Sequence, residues 1–200
     1  GFSEQWSCPR STGKPFRFAG AAMPAHLPSL LEHTITDAIG ELVADVGLIG
    51  VNSADMLVHD GEFYMLEVNP RPGATVDIFD RGLSVSLFDL HVRACHGELP
   101  GAEAPPSVTF ASEIVYAVHD LVVPPWQSWP AWATDLPEAG TRIGEGEPVC
   151  TVLATGPELE ETKSLVRQRA NEILAAFRIG SRAVERTGPG ISLAGRRQGG

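Results

Sequence analysis

Lysine is almost absent from this chain: Lys14 is the only one before Lys163, and 15 Lys plus Arg face 25 Asp plus Glu. The resulting net charge of -10, with no basic patch in the first 160 residues, argues against a nucleic-acid-binding surface. Cysteine is scarce as well. Cys8, Cys95 and Cys150 are odd in number and far apart, which argues against a disulfide framework or a zinc knuckle and for reduced thiols in a cytoplasmic protein. No run approaches the roughly 18 apolar residues of a membrane span, and no charged-then-apolar N-terminus suggests export. No Gly-rich phosphate loop of the P-loop or dinucleotide type precedes a helix. What remains is an acidic soluble enzyme. Its 200 residues, 43% of them hydrophobic, suffice for one substantial unit or two small ones.

Periodicity divides the chain into two units and a tail. Residues 14–22 read as a strand with Phe16, Phe18 and Gly20 on one face. Pro24 and Pro28 introduce a helix whose Leu30, Leu31, Ile35, Ala38, Ile39, Leu42, Val43 and Val46 recur at helical spacing, with Gly47 as its stop. Ser84 is placed to cap a second helix through Ala94, ended by Gly97. Residues 102–107 read as a linker, 108–119 and 149–155 as strands, and 157–178 as an amphipathic helix. The Gly- and Arg-rich residues 179–200 are expected to be disordered. Trp126, Trp129 and Trp132, among three prolines, read as a packed loop rather than a ligand cage. His26, His33, His91 and His96 read as packed or solvated side chains, with His91 and His96 the tempting acid/base candidates.

The segment from Asn52 to Gly73 carries the chemistry. Two apolar-rich runs flank His59-Asp60-Gly61, which reads as a three-residue loop with Gly at its left-handed position. That loop pairs Val58 with Glu62 and Asp55 with Met65. Asp55, Glu67 and Asn69 then share a face with Ser53, Leu57, Phe63 and Met65, while Met56, Val58, Tyr64, Leu66 and Val68 form the apolar face on which the long helix packs. A two-residue turn at Asp60-Gly61 would put the acids on opposite faces. Two carboxylates on adjacent strands can close around a hard cation, and Asn69 adds a neutral oxygen on the same side. Pro70 and Pro72 stiffen the exit and hold Arg71, whose guanidinium suits a phosphate or carboxylate. Oxygen donors with no adjacent His or Cys favour magnesium over zinc or iron.

Asp55 on one strand and Glu67-Val68-Asn69-Pro70-Arg71 on the next resemble the magnesium-binding strands of ATP-grasp enzymes. Residues 48–55 and 87–100 are similar to the flanking strand and helix of that family, and 70–73 to its carboxylate-amine ligase-like members. The resemblance implies an α+β fold: a mainly antiparallel C-terminal ATP-grasp subdomain over 1–104, a small β-rich closing segment over 105–178, and a tail over 179–200. It implies ATP and Mg2+, or Mn2+, as cofactors. Asp55, Glu67 and Asn69 would hold the metal and contact the nucleotide, and Arg71 would act catalytically on the transferred phosphate or acyl group. Small-molecule carboxylate and nucleophile substrates follow, with activation through an acyl phosphate; a homodimer is compatible, and neither nucleic acid nor membrane is expected.

The lysines with which relatives hold ATP are largely missing, and no segment resembles the smaller nucleotide-covering lobe. The chain starts without Met inside a strand or its exit. The expectation is therefore the C-terminal half of a longer enzyme, inactive as a fragment. Two alternatives stay open: a catalytically inactive metal-binding or assembly module derived from an ATP-grasp domain, and a metal hydrolase that does not use ATP.

Overall fold

In the computed structural model, the described residues are 1–9, 13–99, 101, 106–125 and 127–186, with only the backbone described for 178–186. Residues 102–105 of the linker expected over 102–107, together with Trp126 and residues 187–200, fall outside them. A five-stranded antiparallel sheet forms the centre, in the order β1 (Glu4–Ser7), β2 (Phe18–Met23), β5 (Thr109–Tyr116), β9 (Pro148–Gly156) and β7 (Ala133–Thr134). The expected units 1–104 and 105–178 thus share one sheet, because β2 pairs directly with β5. Helix α4 (Leu159–Arg186) runs eight residues past its expected end, into the segment read as a disordered tail.

Alternation along the strands gives this sheet two covered faces. Ala22, Ala111, Val115, Val152 and Ala154 meet Val166, Ala170, Ile173 and Phe177 of α4 on one side. Ala21, Met23 and Phe110 meet Ile78 on the other, where the short helix α2 (Val76–Asp80) packs. Trp129 and Trp132 belong to the first core: Trp129 lies 5.9 Å from Phe177, and the Arg169 guanidinium stands 5.2 Å from the Trp132 ring. The Trp-rich segment, so far as it is described, is packing.

Helix α1 (Ser29–Val46) ends at Gly47, whose φ of 72° takes the left-handed C-terminal position. Its inward line is narrower than the apolar spacing suggests. Leu31 and Ile35 are buried, whereas Leu30, more than a quarter-turn round from them, is exposed, and so is Val46 at the last position of the helix. Phe16, expected inside a strand, is 94% exposed and precedes β2. Helix α3 (Leu87–Cys95) is capped by Ser86, not Ser84: the Ser86 hydroxyl accepts from the Asp89 N–H. Two further two-stranded sheets complete the fold, β3 (Ser53–His59) with β4 (Glu62–Asn69), and β6 (Leu121–Val122) with β8 (Arg142–Ile143).

One row crosses the sheet under α4. Trp6, Gly20 and Glu113 are register partners on β1, β2 and β5. The absence of a side chain on Gly20 lets the Trp6 indole lie across it and hydrogen-bond to Glu113; a Cβ there would stand 2.5 Å from Trp6 Cζ2. Gly20→Ala should cost about 1–3 kcal/mol through overpacking, read as a lower denaturation midpoint.

Glu113 Oε2 is buried without a hydrogen-bond partner among the described residues. Burial pushes the carboxyl up, against smaller opposing effects of Trp6 and Arg167. A raised folded value means that Glu113's contribution to stability is full below the ordinary carboxylate range and is lost as pH rises through the raised value. Glu113→Gln should therefore raise the Tm near neutral pH, the gain disappearing below about pH 4. An equal shift at both pH values would contradict this account.

Candidate metal centre

The β3–β4 turn is shorter than its composition suggests. His59 pairs with Glu62, leaving a two-residue turn in which Asp60 and Gly61 have φ of 51° and 80°. Positive φ at both central positions is the geometry that matches the twist of a hairpin, and Asp-Gly supplies it at low steric cost. The expected three-residue loop, with Val58 opposite Glu62 and Asp55 opposite Met65, is not formed.

Two-residue register continues through Val58–Phe63, Leu57–Tyr64 and Met56–Met65. Continued further, it would set Asp55 opposite Leu66 and turn Glu67 to the other face. Instead the register shifts between Asp55 and Met56, leaving Leu66 as an extra residue on β4, and Asp55 stands directly opposite Glu67. A one-residue bulge reverses side-chain parity along the bulged strand. The odd residue needed to bring the acids together is therefore in β4, not in the turn.

Ser53 pairs with Asn69, so Ser53, Asp55, Glu67 and Asn69 occupy one face at the open end of the hairpin. Tyr64 joins that face nearer the tip and donates to Glu62 at 2.8 Å. Phe63 and Met65 lie opposite, with Val58 and Met56, reversing the expected assignment of Phe63, Tyr64 and Met65. Phe63 lines a groove with Pro28, Leu31 and Thr34, which is where α1 meets the hairpin.

The open end is fixed on both sides of the hairpin. Before β3, the Val51 N–H donates to His91 Nδ1 at 2.9 Å, and Gly50, at φ 77°, lies so close that a Cβ would stand 2.7 Å from His91 Cε1. A neutral His91 accepting at Nδ1 carries its proton on Nε2, which faces Cys95 Sγ at 3.8 Å. His91 thus supports the loop ahead of the acids. His96 and His33 bond to backbone carbonyls of their own helices, Val92 at 2.8 Å and Ser29 at 2.6 Å. After β4, Gly73 passes so close to Ser53 that a Cβ would lie 2.8 Å from its hydroxyl.

Two amides bracket the carboxylates. Asn69 Nδ2 donates to Glu67 Oε1 at 2.9 Å, and Gln5 Nε2, from edge strand β1, donates to Asp55 Oδ1 at 3.2 Å. Nothing in the spacing of Glu4-Gln5-Trp6 marks Gln5; only the fold brings it to the hairpin, 50 residues away in sequence. Arg71 is exposed and donates to Pro72 O at 3.2 Å, and among the described residues no ion pair joins it to Asp55 or Glu67. No group of three or more His, Cys, Asp and Glu among the described residues could hold a metal. The donor set is two carboxylates and an amide, all oxygen, which fits a magnesium ion that completes its shell with water and phosphate.

A family model described as ATP-grasp domain matches residues 3–75, the stretch from β1 through both acid strands. Over that stretch the chain is similar to ATP-grasp domains, and its α+β architecture resembles that of solved synthetases and ligases. It is 30% identical over 109 residues to the carbamoyl phosphate synthase large chain of Halomonas eurihalina, covering 53% of this chain and 10% of that protein. Among solved structures it resembles phosphoribosylglycinamide synthetase from Anaerococcus prevotii, with a TM-score of 0.63 at 13% identity over 77% of this chain and 44% of that one. The L-amino acid ligase from Bacillus licheniformis gives a TM-score of 0.64 at 17% identity, covering 80% and 44%. The chain thus spans a tenth of the length of that curated relative and less than half of each solved one.

The bulge yields a direct prediction. Deleting Leu66, an exposed residue, removes the one unpartnered position of β4, so continuous two-residue register should still set Glu67 opposite Asp55 and Asn69 opposite Ser53, now without a bulge. The deletion variant should remain folded by circular dichroism and keep Mn2+ binding in a titration followed by electron paramagnetic resonance. Loss of binding in the folded variant would show that the twist added by the bulge, and not parity alone, sets the site.

Proposed function

We propose that this chain carries the metal-binding floor of an ATP-dependent ligase site. The observation that carries the reading is the cross-strand pairing of Asp55 with Glu67, with Asn69 on the same face, inside the segment that matches the ATP-grasp family. Asp55, Glu67 and Asn69 would hold Mg2+, or Mn2+, and with it the phosphates of ATP. The bound cation would neutralise phosphate charge, the main electrostatic need of phosphoryl transfer.

The protein's own groups do the positioning. The hairpin offers oxygen ligands on one rigid face, and Arg71, two residues past Asn69 and stiffened by Pro70 and Pro72, is within a side-chain swing of a phosphate or carboxylate bound there. In the proposed reaction a substrate carboxylate oxygen bonds to the γ-phosphorus of ATP as the bond to ADP breaks. An amine or similar nucleophile then attacks the acyl carbon and inorganic phosphate leaves. The substrates are small molecules. We place the protein in the cytoplasm: Cys8 and Cys150 are buried thiols, Cys95 is an exposed one, and no described helix is long and apolar enough to cross a membrane.

The position of Arg71 supports a second reading, a metal-binding or assembly module without catalysis, since its guanidinium is turned along its own backbone. Calorimetric titration with ATP and Mg2+ separates the two. The ligase reading expects binding that Glu67→Gln weakens by at least about tenfold, the scale on which even outer supports of a metal act. Arg71→Ala should lower turnover far more than nucleotide binding. Failure of the full protein with Mg2+ to bind ATP, or binding indifferent to Glu67, would leave the module reading.

A further inference from the structure

Gln5 stands outside the hairpin, on the edge strand of the main sheet, and touches one of the two acids. Strand alternation sends Glu4 and Trp6 toward α4, where Glu4 pairs with Lys163 and Trp6 spans Gly20 to Glu113, so Gln5 points to the opposite side, toward the hairpin. There its Nε2 donates to Asp55 Oδ1 at 3.2 Å. An ionised carboxylate only accepts, so the amide must present its NH2 to Asp55. Oδ2 of Asp55 is left for a metal.

The acid pair has no other source of compensation in view. Asp55 and Glu67 are directly opposed like charges, a destabilising arrangement on a sheet, and no Lys or Arg among the described residues forms an ion pair with either. Each carboxylate instead holds one amide, Gln5 on Asp55 and Asn69 on Glu67. The two amides are not equivalent. To offer Oδ1 to a metal, the Asn69 amide must turn its oxygen inward. Gln5 can keep donating to Oδ1 while Oδ2 coordinates, the arrangement by which outer hydrogen bonds orient metal ligands.

We propose that Gln5 is the positioning residue of this metal site: it fixes the Asp55 carboxylate so that one oxygen faces the cation. The inference rests on the metal reading given above. It also means that the site is completed across two sheets, because β1 belongs to the five-stranded sheet and Asp55 to the separate hairpin.

The test is a double-mutant cycle read by Mn2+ affinity, using electron paramagnetic resonance of free Mn2+ with the wild type, Gln5→Met, Asp55→Asn and the double variant. Methionine keeps the length of the side chain and removes the donor at an exposed edge position; Gln5→Asn, which keeps the amide but cannot reach, serves if the Met variant does not fold. Either should weaken Mn2+ by about tenfold or more. In the Asp55→Asn background the same change should add nothing, since Gln5 acts only through Asp55. Unchanged affinity in both Gln5 variants, or a full effect persisting without Asp55, overturns the positioning role while leaving the metal site standing. Failure of the wild type to bind Mn2+, with Asp55→Asn indistinguishable from it, overturns both.

Discussion

Side-chain parity along one hairpin is the constraint on which the site depends. Successive residues of a strand face opposite sides, so whether Asp55 and Glu67 meet is decided by the number of residues between them that lack a cross-strand partner. A regular two-residue turn supplies the wrong parity. The extra Leu66 restores it and leaves the turn its favourable Asp60-Gly61 geometry. Bulges also increase local twist, and this one lies one residue from Glu67, between the turn and the acidic open end.

The rest of the molecule holds that open end in place. The hairpin belongs to no larger sheet, and much of it is exposed, so its orientation comes from outside. His91 ties down the loop before β3, Ser53 packs against the chain leaving β4, α1 touches the Phe63 side, and Gln5 reaches across from β1. Behind them stands the main sheet, with α4 on one face and α2 on the other. Two opposed carboxylates on a sheet disfavour each other by about 0.2–1 kcal/mol, and a bound cation reverses the sign of that interaction. Ligation and local stability are therefore linked here. Among the described residues no Lys or Arg forms an ion pair with either acid, so in the proposed site the bound cation would offset their repulsion.

Strongly patterned features were legible in the chain. The strands at Thr109–Tyr116 and Pro148–Gly156, the helix ending at Gly47, and the grouping of Asp55, Glu67 and Asn69 follow from alternation, helical spacing and turn chemistry. The reason given for the grouping did not hold: His-Asp-Gly admits both loop lengths, and an interior bulge leaves no mark when the extra residue is an ordinary leucine. Tyr64, Phe63 and Met65 changed faces accordingly. Helix α2, five residues long, is too short for periodicity to reveal. Gln5 escaped, and His91 was singled out without its contact to the loop before β3, because those roles are set by contacts 50 and 40 residues away in sequence. The division near residue 104 rested on a change of composition, and antiparallel pairing of β2 with β5 runs straight across it.

Paramagnetic broadening of backbone amide signals on adding Mn2+ tests the central claim most directly, because it locates the ion without requiring turnover. Signals of residues 53–55 and 67–69, with Gln5, should broaden first, and those of the turn at 59–62 should persist. Broadening centred on the turn, on α4, or nowhere at sub-millimolar Mn2+ would contradict the site described here.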